Sequence, residues 1–120
     1  MTAPYALRTA VEGCCHAQLS SIYAAVDRAC RQTPSTLDVL FICGDFQGIR
    51  NADDLRSLAC PDKYKEVGEF HRYYSGQANA PVLTVVIGGN HEASDAMSEL
   101  YVALRLRLLL LLLLAQRPPC

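Results

Sequence analysis

Five consecutive apolar residues, Val39-Leu40-Phe41-Ile42-Cys43, stand between Asp38 and the pair Gly44-Asp45. A run of that length without polar alternation is the pattern of a strand covered on both faces, as parallel sheets require. Pro81-Val82-Leu83-Thr84-Val85-Val86-Ile87 repeats the pattern and ends at Gly88-Gly89. Tyr5 to Val11 reads as a first strand that stops at Gly13. Between the first two lies an amphipathic helix: Leu19, Ile22, Tyr23, Val26, Ala29 and Cys30 recur at spacings of three and four, and Thr33-Pro34-Ser35 ends it. A short helix with Asn51 as N-cap runs through Leu55, Leu58 and Ala59 and is broken by Pro61, and a second runs from Tyr64 to Tyr74. The order strand, helix, strand, two helices, strand predicts an α/β layered fold with a parallel sheet and right-handed crossovers.

Charge divides the chain. Residues 1–100 carry 8 Lys and Arg against 12 Asp and Glu, whereas residues 101–120 hold three arginines and no acid. An acidic body does not hold nucleic acid by phosphate neutralisation, so a nucleic-acid substrate needs a local positive site or a metal. Met1–Ala10 lacks the basic and long apolar regions of a secretory signal, and with it the six cysteines are expected to be reduced thiols rather than a disulfide scaffold. From Tyr101 the sequence changes to 13 apolar residues in 15, with seven consecutive leucines at 108–114. That run is too short to span a bilayer, and Arg105 and Arg107 stand against extending it, so no membrane association is expected. The expected organisation is therefore a body over 1–100 and a leucine-rich tail over 101–120, disordered or forming a short helix.

A polar cluster with glycine follows each strand: Gly13-Cys14-Cys15-His16, Gly44-Asp45-Phe46 and Gly88-Gly89-Asn90-His91-Glu92. A parallel sheet places all three along one carboxyl edge, where α/β proteins bind ligands. A thiolate and an imidazole suit transition metals, a carboxylate can bridge two ions, and an amide oxygen adds a neutral ligand. His71, flanked by aromatic residues, is expected to be a packing residue.

Gly44-Asp45 and Gly89-Asn90-His91-Glu92 resemble the second and third motifs of the calcineurin-like metallophosphoesterases. The first motif of that family is Asp-x-His, and here cysteine replaces the aspartate in Cys14-Cys15-His16. That replacement, with Glu-Gly-Cys-Cys-His, Cys-Gly-Asp-Phe-Gln and Arg-Tyr-Tyr-Ser-Gly, resembles the branch of RNA lariat debranching enzymes, from about Leu7 to Leu100. Ala17 and Gln18 depart from that branch's usual Gly-Glu.

The resemblance implies the amino-terminal half of a metallophosphoesterase layered sandwich, hydrolysing the 2′–5′ phosphodiester of branched (lariat) intron RNA in mRNA processing, in the nucleus with possible shuttling to the cytoplasm. It further implies a two-metal site of Fe²⁺/Zn²⁺ or Mn²⁺, with Cys14 and His16 on one metal, Asp45 bridging and Asn90 on the second. His91 becomes the general acid, and Glu92 a supporting partner rather than a ligand. The family's remaining ligands are downstream histidines, including a Gly-His-x-His motif; this chain has no histidine beyond His91, and the leucine-rich tail over 101–120 is expected to be foreign to the family. The expectation is thus that the chain as it stands does not turn over. Two alternatives are another calcineurin-like phosphoesterase, against which Cys14 and Arg72-Tyr73-Tyr74-Ser75-Gly76 speak, and a non-catalytic fragment binding a partner through its leucine tail.

Overall fold

The computed structural model describes residues 6–33 and 36–103. Three parallel strands, β1 (Thr9–Cys14), β2 (Val39–Gly44) and β3 (Leu83–Val86), form one sheet in the order β1-β2-β3. The centre therefore falls to the strand with the least polar sequence. The helix α1 (Leu19–Gln32) crosses from β1 to β2. The longer β2–β3 connection holds two 3-10 turns, Asp53–Ser57 and Asp62–Tyr64, and the short helix α2 (Phe70–Tyr74). After β3 the chain turns and enters a further helix, described over 94–103.

The apolar stripe of α1 lies on one sheet face. Leu19, Leu40, Ile42, Cys15 and Phe46 are buried together, and Ala10, Ile22, Tyr23, Val26, Phe70 and Tyr73 pack around them. Burying such side chains contributes about 1.5–3 kcal/mol each, which is what fixes α1 against the sheet. Tyr23 Oη and Thr84 Oγ1 lie 3.0 Å apart, tying α1 to β3, and burial raises the Tyr23 phenol above its ordinary pKa. A smaller cluster of Ile49, Leu58, Ala93 and Ala96 joins the 3-10 region to the helix over 94–103. Because strand side chains alternate, the register partners Val11, Phe41 and Val85 point away from α1. Val11, Val85 and Leu83 on that face are exposed.

Several element boundaries differ from the sequence reading. β1 does not stop at Gly13 but extends through it, because Cys14 pairs with Gly44 in the ladder. The helix read through Leu55 to Ala59 is the single turn Asp53–Ser57, since Leu58 is drawn into an antiparallel bridge with Ala93. Asn51 nonetheless caps it: its Oδ1 accepts from the N–H groups of Asp53 (2.8 Å) and Asp54 (3.3 Å). The helix read over Tyr64–Tyr74 is broken by Gly68, whose φ is +65° and whose missing Cβ would stand 2.4 Å from that of Ala17. His71, expected as a packing residue, donates its Nδ1–H to the Gly68 carbonyl at 2.9 Å. The leucine run lies outside the described residues, among which no helix is long and apolar enough to cross a membrane.

Candidate metal centre

Parallel pairing sends β1, β2 and β3 out of the sheet at the same edge, so the three glycine-bearing clusters meet there. The first two remain laced together beyond their strands. Cys15 N–H donates to Gly44 O (3.3 Å), His16 N–H to Asp45 O (2.7 Å) and Ala17 N–H to Phe46 O (3.2 Å). This continuation forces unusual backbone: His16, Ala17, Asp45 and Gln47 all have positive φ, between 33° and 58°. Non-glycine residues adopt that region at an energetic cost, and its concentration in two adjoining loops marks a site whose geometry is imposed by its surroundings.

The imposed geometry collects donors. Cys14 Sγ, a His16 ring nitrogen and an Asp45 carboxylate oxygen all lie within 4.8 Å of one another. Asp45 is buried, while Cys14 and His16 are open to solvent. Cys15 is buried instead, and desolvation raises its thiol pKa, so of the vicinal pair only Cys14 is presented as a ligand. The third cluster docks onto Asp45. His91 N–H donates to Asp45 Oδ1 at 3.0 Å, and His91 Nδ1 lies 3.2 Å from Asp45 Oδ2. His16 Nε2 stands 3.9 Å from the same oxygen, and the two imidazole centroids are 5.6 Å apart. The Asp45 carboxyl is held below its ordinary pKa, first by the His91 N–H, against an opposing desolvation, and then by the two imidazoles. It is thus ionised and ready to serve as a ligand.

Close approach of the third loop depends on Gly89. A Cβ there would meet Asp45 Oδ1 at 2.1 Å and Asp45 N at 2.5 Å, so no side chain fits. Glu92 holds the same two loops from beneath. Its buried carboxylate accepts from the N–H groups of Gln47 (2.9 Å), Gly48 (3.0 Å) and Gly89 (3.3 Å). Asn90 is exposed between Gly89 and His91 at this edge.

Of the six residues read from the sequence, Cys14, His16 and Asp45 lie within 4.8 Å of one another, His91 sits against Asp45, Glu92 is hydrogen-bonded to the backbone of the two loops, and Asn90 is exposed outside that group. Sequence reasoning missed the Arg50–Asp54 pair behind the β2 loop. Arg50 donates through Nε (2.9 Å) and Nη2 (2.8 Å) to Asp54, and through Nη1 (2.5 Å) to Glu99 on the helix over 94–103. Those bonds raise the Arg50 pKa and lower that of Asp54. Opposite charges four residues apart were its only signal, and such pairs usually lie on solvated surfaces.

A soft thiolate, an imidazole and a hard carboxylate within mutual reach fit a divalent transition-metal ion in donor type and spacing. The family described as calcineurin-like phosphoesterase matches residues 7–114. The lariat debranching enzyme of Homo sapiens is 53% identical over 94 residues, which is 78% of this chain and 17% of that protein. That of Drosophila melanogaster is 47% identical over 94 residues, 78% of this chain and 18% of the relative. The lariat debranching enzyme of Saccharomyces cerevisiae (strain ATCC 204508 / S288c) is 52% identical over 87 residues, 72% of this chain and 21% of the relative. The chain thus spans about a fifth of the length of these curated relatives.

Proposed function

Because the chain belongs to the calcineurin-like phosphoesterases, a family that works with divalent metal ions, we propose that it carries one side of the active centre of a lariat debranching enzyme. Its substrate is branched intron RNA in the nucleus, and the bond addressed is the 2′–5′ phosphodiester at the branch point. The observation that carries this reading is the convergence of Cys14, His16 and Asp45 within 4.8 Å, with His91 seated on Asp45. The identity of 46–53% to lariat debranching enzymes over 94 residues supports the substrate class.

Cys14 and His16 would hold one metal ion, Asp45 would serve both ions of the site, and Asn90 would contribute to the second. The bound ions supply Lewis acidity, neutralising phosphoryl oxygens and making hydroxide accessible near neutral pH. That charge answers the objection raised by an acidic body. Cys14 in place of a carboxylate biases the first position toward Zn²⁺ or Fe²⁺ over Mg²⁺, and Mn²⁺ is also accommodated. His91 provides the proton for the leaving 2′ oxygen. Its Nδ1 is committed to Asp45, which leaves Nε2 as the nitrogen that hands the proton over. Glu92 fixes the backbone on which Asp45 and His91 ride.

The only histidines of the chain are His16, His71 and His91, so this stretch by itself supplies an incomplete ligand set, binding metal and substrate without turnover. The test is to incubate the purified chain with a 2′–5′ branched RNA and Mn²⁺ or Zn²⁺. The expected result is metal-dependent binding without release of linear product. Turnover at a rate near that of a full-length lariat debranching enzyme refutes the incomplete-site reading. Failure to bind either metal refutes the assignment of the site.

A further inference from the structure

A cavity of about 490 Å³ opens beside the metal centre and is lined in part by His16 and His91. Gln47, Cys60, Pro61, Tyr64 and Glu66 line it as well. Its volume lies in the ~300–1,000 Å³ range of small-ligand pockets and accommodates one nucleoside. Cys60, Pro61, Tyr64 and Glu66 have no part in the site described above.

This part of the lining is a supported aromatic platform. Tyr64 is 61% exposed, although a large aromatic ring gains by burial. It closes the 3-10 turn Asp62–Tyr64, held by Tyr64 N–H to Pro61 O at 2.9 Å, Lys65 N–H to Asp62 O at 3.1 Å, and the Lys65–Asp62 ion pair at 3.0 Å. Lys63 Nζ stands 4.7 Å from the Tyr64 ring centroid, placing a cation against the same ring. Gly68, also lining the cavity, is pressed against Ala17 in the loop after His16, so this wall is fastened to the metal-bearing loop.

The charge pattern chooses the occupant. Glu66 brings an acidic residue to the lining and Gln47 an amide-bearing one. A carboxylate repels a second phosphate but accepts from the exocyclic N–H groups of a base. An exposed ring flanked by a lysine is the arrangement on which single-stranded bases stack. We propose that this groove seats the base of a nucleoside bonded to the scissile phosphate, stacked on Tyr64, with Lys63 toward the adjoining backbone. The proposal rests on the phosphodiesterase reading above and adds a substrate-positioning residue to it.

The test uses the whole chain with Mn²⁺ and a short branched RNA containing 2-aminopurine next to the branch phosphate, read by fluorescence quenching. Tyr64→Phe keeps the ring and should bind within about twofold of the native chain. Tyr64→Ala should weaken binding by about tenfold or more, as loss of one base–aromatic stack does. Manganese affinity, measured separately, should be the same in all three. RNA binding by Tyr64→Ala equal to native overturns the proposal. So does a parallel loss of manganese affinity, because the ring would then only be shaping the loops. A linear RNA of the same composition tests the parent reading independently. Equal affinity for linear and branched RNA counts against debranching while leaving the Tyr64 comparison decisive for the groove, and no binding of either RNA overturns both.

Discussion

Replacing Glu92 by glutamine changes one oxygen into an NH₂ group, and the structure specifies what that costs. Glu92 Oε1 accepts from Gln47 N–H at 2.9 Å and Gly89 N–H at 3.3 Å, while Oε2 accepts from Gly48 N–H at 3.0 Å. In its better orientation the Glu92→Gln amide keeps the first two and turns its NH₂ against the Gly48 N–H. One charge-assisted bond is lost and one enclosed N–H is left without a partner, a cost of about 1–3 kcal/mol. In the other orientation two bonds are lost. Because these N–H groups belong to the loops that carry Asp45 and His91, part of that cost falls on the metal-binding geometry. Losing hydrogen bonds that support a metal site from outside its ligands commonly weakens affinity about 10–100-fold, and we expect a loss in that range. Free Mn²⁺ followed by electron paramagnetic resonance during titration measures it, with far-ultraviolet circular dichroism confirming the fold. A folded Glu92→Gln chain with native manganese affinity would falsify the claim that this carboxylate sets the site.

Gly89→Ala should lower manganese affinity more than tenfold by calorimetry, because its Cβ cannot share space with the Asp45 carboxylate and amide; undiminished affinity would mean the loops are not so closely apposed. Cys14→Asp should shift the preference from Zn²⁺ toward Mn²⁺, read as the ratio of the two affinities, and an unchanged ratio would exclude Cys14 from the ligand set. Asp54 contributes to the acid limb of stability. Arg50 holds its pKa below the ordinary 3.8, so its contribution is fully present above that value and is lost as pH falls through the lower folded value. Urea denaturation should therefore find Asp54→Asn much less stable than native at pH 7, with the gap closing below about pH 4. A gap independent of pH contradicts the ion-pair account.

What could be read in advance follows from where the information resides. The apolar run Val39–Cys43 announces β2, and three strand ends bearing glycine announce a shared edge, because strand period and parallel pairing are local and topological rules. Cys14, His16, Asp45 and His91 stand at those ends and could be named without coordinates. The ends of elements depend on contacts made far away in sequence. Leu58 reads as helical until Ala93 claims it as a bridge partner, and the stretch before α2 reads as helical until Gly68 meets Ala17. Tyr64 and Glu66 gave no signal, since an exposed tyrosine acquires meaning only beside the pair of histidines with which it lines a cavity. The apolar pattern of β3 suggested full cover, yet Leu83, Val85 and Val86 are exposed, because hydropathy records what a residue prefers and not what arrives to cover it.

The three hydrogen bonds that carry the β1–β2 ladder on through residues 15–17 bear on how the site fluctuates. A binding loop ordinarily opens on its own, at a small fraction of the free energy of unfolding. Here the amides of Cys15, His16 and Ala17 are protected by the same pairing that holds the sheet, so releasing His16 from Asp45 means unzipping the central strand pair from its end. Exchange of those amides with solvent should be slow for a loop, and the ligand spacing between Cys14 and Asp45 should persist for as long as the sheet does. The centre thereby borrows its rigidity from the most cooperative part of the fold, and an arriving ion meets donors already in place.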